Sequence, residues 1–240
     1  MRPIVNRFSD AASVAKNAAT DLAAKLTALL AENDQVHIQV TGGTVGIQTL
    51  SELSQLREFQ NLELSRLHIW WGDERYVASD SDDRNAKQAN TALFSKLQNQ
   101  KPVLHEFPST DSGLSLADAA EKFQEEFVAL CPIFKIALVG MGPDGHICSL
   151  FPDKPAPAVD ALVIAEHNSP KPPPQRLSFS YSAMNQVEEI WFVVAGADKQ
   201  TAVAVAFGDD PQSLPVGRVR GTQKTVWYLD STAGSAVFGC

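Results

Sequence analysis

Short apolar runs of strand length alternate with helix-period segments along almost the whole chain, and this alternation narrows the available folds more than any other feature. Residues 4–8, 35–40, 64–71, 136–139, 189–195 and 224–229 read as strands. Between them, Val14, Ala18, Leu22, Leu26 and Leu29 recur at helical spacing, as do Ile47, Leu50, Leu53 and Leu56. Further helices are predicted through Ala86, Leu93 and Leu97, through Phe123, Phe127 and Leu130, and through Val203 and Phe207. Strands that follow one another through helices pair in parallel and need cover on both faces. The pattern therefore predicts an α/β fold, a mainly parallel sheet with helices on both sides. With 240 residues, 44% of them hydrophobic, no repeat and no linker, the chain reads as a single domain, 1–240.

Local signals set the expected element ends. Ser9 or Asp10 caps the first helix, Asp83 the helix through Ala86, Ser115 or Asp118 the helix that Pro132 stops, and Asp198 the helix through Val203. Seven of the fourteen prolines fall between 152 and 174, which reads as a stiff rim holding one strand, 161–165. Residues 176–181, RLSFSY, alternate as a further strand, and the chain ends in a small-residue tail.

A net charge of −8 without a Lys/Arg cluster excludes a nucleic-acid surface. Arg2 and Arg7 precede no apolar stretch of signal-peptide type, and no run reaches a membrane span. Cys131, Cys148 and Cys240 are odd in number and lack C-x-x-C spacing, as expected of reduced thiols in a cytoplasmic protein. No obligate protein partner is evident. His37, His68, His105, His146 and His167 are far apart in sequence, with no H-x-x-x-H pair, so the spacing predicts no metal site.

Three strand ends carry candidate chemistry. Thr41-Gly42-Gly43-Thr44 joins a strand to a helix N-terminus; it is either a tight turn or an anion cradle of backbone N–H groups. Gly72-Asp73-Glu74-Arg75 is either a solvated ion-pair loop or a polar cluster facing a crevice. After the strand 136–139 comes GMGPDGHICSLFPD, with His146 at the strand's C-terminal end, where open α/β sheets bind ligands. Gly140, Gly142 and Gly145 match G-x-G-x-x-G, but Pro143 within the turn and Pro152 soon after it leave no room for the long helix of a dinucleotide fold. Ser149 has no nucleophile elbow. His146 is left as a general base or as a structural histidine. Lys199, in the first turn of a helix, opposes the macrodipole; it faces either solvent or a bound anion.

Taken together, these motifs resemble those of 6-phosphogluconolactonases, in the superfamily that includes glucosamine-6-phosphate deaminases. GMGPDGHICSLFPD is similar to the family's G-x-G-x-D-G-H-x-x-S-L-F-P signature, TGGT at 41–44 to its first phosphate loop, and WWGDERYV at 70–77 to its W-x-D-E-R strand end. Asn85, Arg176 and Lys199 follow in the family order. Thr41 and Thr44 stand where many members have Ser, a minor departure. The resemblance spans nearly the whole chain. It implies a Rossmann-like fold of sugar-phosphate isomerase type, hydrolysis of a phosphorylated sugar lactone, and no cofactor. It also implies roles: His146, Asp144, Arg75 and Asp73 in catalysis, and Thr41, Gly42, Gly43, Thr44, Arg176 and Lys199 around the phosphate. The superfamily's deaminases carry D-E-Y and F-N-E-P where this chain has Arg75 and Ser149-Leu150-Phe151-Pro152. An isomerase or deaminase, and a non-catalytic sugar-phosphate-binding module, are the alternative readings.

Overall fold

In the computed structural model, residues 2–98 and 100–238 are described. The strands are β1 Ile4–Phe8, β2 Val36–Val40, β3 Leu67–Trp71, β4 Asp73–Arg75, β5 Val103–His105, β6 Phe134–Val139, β7 Val163–Glu166, β8 Arg176–Phe179, β9 Glu189–Val194 and β10 Lys224–Asp230. The α-helices are α1 Ala11–Glu32, α2 Thr44–Leu53, α3 Arg57–Gln60, α4 Asn85–Ala92, α5 Leu116–Leu130, α6 Tyr181–Met184, α7 Gln200–Ala206 and α8 Ser235–Phe238.

Seven strands form one sheet in the order β1-β10-β9-β6-β2-β3-β5, every neighbouring pair parallel. The mainly parallel α/β sheet expected from the alternation, and the Rossmann-like fold that the resemblance implies, are therefore present. From β2 the chain winds outward through β3 and β5, then returns to the other flank of β2 as β6 and continues to β9 and β10. The order reverses between β2 and β6, so the loops leaving those two strands diverge and open a crevice at the sheet's C-terminal edge.

The helices follow their apolar stripes. Val14, Ala18, Leu22 and Leu26 of α1 are wholly buried, and Ile38, Ile69, Ile136 and Leu138 fill the sheet beside them. Asp10 caps α1 through the Ser13 N–H, and Ser115 caps α5 through the Asp118 N–H, both as expected. On the opposite face, Trp70 meets Phe123 and Phe127 of α5 and Phe134 of β6. Phe179 of β8 joins the same group.

Several expectations need correction. Residues 176–181 and 161–165 do not extend the parallel sheet. As β8 and β7 they pair antiparallel with β4 in a separate three-stranded sheet. Short strands joined to α6 and to the proline-rich rim cannot make parallel crossovers. β8 stops at Phe179 because Ser180 caps α6. β5 has too little apolar periodicity to be read from sequence, and residues 64–66 are a 3-10 turn rather than strand. Asp83 does not cap α4, whose first N–H groups are taken by Glu74. Asp198 caps nothing; it lies in a 3-10 turn and pairs with Lys199. The tail forms α8, and Cys240 lies outside the described residues.

Three of the histidines that are far apart in sequence come together in the sheet. Parallel register sets His37 of β2 beside His68 of β3, and Trp70 of β3 beside His105 of β5. Residues 31 and 35 positions apart in sequence thus become lateral neighbours. One ring nitrogen from each of the three histidines lies within 4.8 Å of the other two. Burial, aided by the neighbouring His68 and His105, holds His37 down at about 4. Burial and His105 also lower His68.

Candidate active site

The crevice between the C-terminal ends of β2, β3, β6 and β9 is a cleft of about 520 Å³. Of the ten site residues expected from sequence, nine line it: Thr41, Gly42, Gly43, Thr44, Asp73, Arg75, His146, Arg176 and Lys199. Asp144 stands behind His146.

The β6 turn fixes the histidine. The Gly142 N–H donates to the His146 carbonyl at 2.9 Å, and Gly145 takes φ +76°, open to glycine and strained for any L side chain. The turn brings Asp144 Oδ1 within 2.5 Å of His146 Nδ1. With a carboxylate on Nδ1, the neutral ring carries its proton there and keeps its lone pair on Nε2. Burial pushes the His146 pKa below its ordinary value, although the Asp144 hydrogen bond and charge pull it up. For Asp144, burial raises the pKa, but the His146 hydrogen bond, the His146 charge and Lys171 outweigh it, and the net shift is downward. Near neutrality this is an ionised carboxylate holding a neutral imidazole.

Lys171 was not foreseen. Its Nζ lies 3.1 Å from His146 Nδ1 and 3.4 Å from Asp144 Oδ1. A single lysine in a proline run has no periodicity and no motif to mark it. What places it is Arg176: its Nε donates to the Pro173 carbonyl, and one terminal nitrogen donates to the carbonyls of Lys171 and Pro172. The other terminal nitrogen is 3.8 Å from Asp73. Arg176 is thus largely engaged in holding the rim, with one terminal nitrogen left toward the cleft.

The D-E-R stretch divides its labour because β4 alternates. Asp73 and Arg75 line the cleft, whereas Glu74 turns away and accepts from the N–H groups of Arg75, Asn85 and Ala86 at 2.7–2.9 Å. Asp73 accepts the Ser149 hydroxyl at 2.7 Å, so that serine serves the carboxylate and not His146. The Asn85 amide donates to the Asp73 carbonyl at 2.9 Å. A β-carbon at Gly42 would collide with the Asn85 amide, which accounts for glycine there. Arg75 donates to the Asp83 carbonyl at 3.0 Å, and its buried Nε has no partner among the described residues. Cys148 is a pocket thiol whose pKa burial raises well above the usual range, which leaves it unreactive.

On the other side of the cleft, α2 begins at Thr44 with Gly43 at its N-cap, φ +78°, and no side-chain cap. Ten residues of aligned dipoles end here against Lys199, an arrangement suited to a dianion.

The chain matches the family model for glucosamine-6-phosphate isomerases/6-phosphogluconolactonase over residues 9–227. It is 36% identical to the 6-phosphogluconolactonase of Mycobacterium leprae, across 100% of both chains. Identity to that of Mycobacterium tuberculosis is 37%, across 98% of both. The crystal structure of 6-phosphogluconolactonase from Thermotoga maritima superposes with a TM-score of 0.83 at 27% identity, covering 95% of this chain and 100% of the other. A crevice at the strand-order reversal, a Gly-rich turn presenting a histidine, and a full-length match all agree, and the chain belongs to the glucosamine-6-phosphate isomerase/6-phosphogluconolactonase family.

Proposed function

We propose that this chain hydrolyses 6-phospho-D-glucono-1,5-lactone to 6-phospho-D-gluconate, a step of the oxidative pentose phosphate pathway. The observation that carries the reading is the Asp144–His146 pair, which leaves a neutral imidazole nitrogen at the cleft. His146 Nε2 takes a proton from water as the water oxygen bonds to the lactone carbonyl carbon. Asp144 holds the imidazolium that forms, while the Lys171 ammonium beside it works against that charge and keeps the resting ring neutral. The oxyanion develops against the guanidinium of Arg75, which lines the cleft, and the backbone N–H groups of the Gly loops. The bond from that carbon to the ring oxygen then breaks, and the ring oxygen leaves with the proton from His146. Asp73, fixed by Ser149 and Asn85, orients the water or a sugar hydroxyl. Thr41 to Thr44, Lys199 and the free nitrogen of Arg176 hold the phosphate.

The free thiols at Cys131 and Cys148 support a cytoplasmic setting. Among the described residues no helix is long and apolar enough to cross a membrane.

A carbon-acid reaction on an open-chain sugar phosphate is the competing chemistry. It needs an acid/base set for which Arg75 is unsuited, since a guanidinium stays protonated in proteins and cannot take up a proton. The deciding experiment follows freshly generated lactone by NMR in deuterated buffer. Lactone hydrolysis above background, with no deuterium at carbon 2 of fructose 6-phosphate or glucosamine 6-phosphate, is expected. Deuterium at carbon would sink the reading.

Two further results are expected. Lys199→Ala should raise KM by about ten- to a hundredfold, the worth of one charge-assisted hydrogen bond, with a smaller fall in kcat. Equal loss in kcat with KM unchanged would remove Lys199 from the phosphate. The ring of His146, identified by its absence in His146→Gln, should titrate by NMR below about 6.5. Its base form is the neutral one, so kcat should stay level upward from that pH and fall only below it. An acidic limb above 6.5 would contradict the assignment.

A further inference from the structure

Buried strands of a parallel sheet are ordinarily rows of Val, Ile and Leu. One face of β2, β3 and β5 departs from this, carrying His37, Gln39, His68, Trp70 and His105. None of these residues lines the active-site cleft, which opens at the other end of β2 and β3.

The hydrogen bonds fix the tautomers. His105 Nδ1 lies 3.0 Å from the half-exposed carboxylate of Glu126 on α5, so that nitrogen carries the proton and Nε2 the lone pair. His68 Nδ1, 2.9 Å from His105 Nε2, is then a donor to it. The indole N–H of Trp70, which can only donate, meets His37 Nδ1 at 3.1 Å, so the His37 lone pair is there. Two imidazole lone pairs are thus turned inward on N–H groups, and a third is released if His68 exchanges its ring proton between its nitrogens.

We propose that His37, His68 and His105 form a binding site for a divalent transition-metal ion, zinc above all, separate from the lactone cleft. Three imidazoles are the nitrogen donor set such ions prefer over magnesium or calcium. A tetrahedral zinc with bonds of about 2.0–2.1 Å places its donors roughly 3.3 Å apart. The present separations, all within 4.8 Å, require only side-chain adjustment. Glu126 on the far nitrogen of His105 is the outer carboxylate that orients a metal-bound histidine and raises its basicity. β5 is the edge strand and His68 is only partly buried, so an ion can reach the group. Water would complete the fourth position.

The test uses the full chain, stripped with chelator and titrated with zinc against a chromophoric competitor. One equivalent per chain is expected, with affinity reduced at least tenfold in His68→Gln and in His105→Gln and unchanged in His146→Ala. Cobalt should give visible bands of tetrahedral type without a thiolate charge-transfer band. Nickel should quench tryptophan emission in the parent and not in His68→Gln, because Trp70 stacks on His105 with centroids 3.9 Å apart. If His105→Gln does not fold, His68→Gln, at the more open position, carries the test, with its lactonase activity retained as evidence of folding. Absence of stoichiometric binding, binding indifferent to both substitutions, or loss of binding in His146→Ala would each overturn the proposal.

Discussion

His146→Gln is expected to lower kcat by roughly 10²–10⁴, the usual worth of a positioned general base, while 6-phosphogluconate binding stays near that of the parent. Glutamine keeps polarity and approximate size but has no nitrogen lone pair to receive a proton. Nothing else at the cleft substitutes for it. Ser149 is committed to Asp73, and burial keeps Cys148 protonated. Arg75 and the phosphate-holding groups remain in the variant, so product affinity is a control for an intact cleft. Rates must be corrected for spontaneous hydrolysis of the lactone. A corrected kcat within a few-fold of the parent would remove His146 from the role of base.

Gly142→Ala should come close to the same loss without touching a titratable group. A β-carbon at residue 142 would overlap the ring of His146 and approach Asp144 Oδ1 to 2.5 Å. Residue 142 is not among the glycines with positive φ, so the backbone accepts alanine there. The side chains must give way: His146 leaves its carboxylate, or the turn opens and the bond from the Gly142 N–H to the His146 carbonyl is lost. Overpacking of this kind typically costs about 1–3 kcal/mol of stability, and the escape of the ring toward the cleft reduces it. The expected pair of results is a kcat down by about a hundredfold or more and a thermal midpoint lowered by only a few degrees. Retained activity would show that the Asp144–His146 geometry does not govern the rate.

The sequence made most of the parallel sheet legible because its strands are short apolar or alternating runs and its longer helices carry a clear stripe. The Gly-rich turn could be read because Gly145 is required by the backbone path and Gly142 by the ring packed against it. β5 and the three-stranded sheet could not, since Val103–His105 has no pattern and the antiparallel pairing of β4 with β8 joins residues a hundred positions apart. Lys171 was hidden for a related reason: it reaches Asp144 only because Arg176 gathers the carbonyls of the rim. The meeting of the three histidines depends on lateral register, which spacing along the chain does not encode.

The alternation within β4 has a consequence for how chemistry in such a fold can diverge. Glu74 anchors α4 through the N–H groups of Asn85 and Ala86, and its one further backbone bond comes from the main-chain N–H of residue 75, which every residue except proline supplies. The side chain at 75 lines the cleft, with one bond to the Asp83 carbonyl, while its neighbour answers to the scaffold. One position on the strand is free to explore new reactions, and the adjacent one is held fast. A family built this way can change the group presented at the mouth of the cleft while Glu74 keeps its hold on α4.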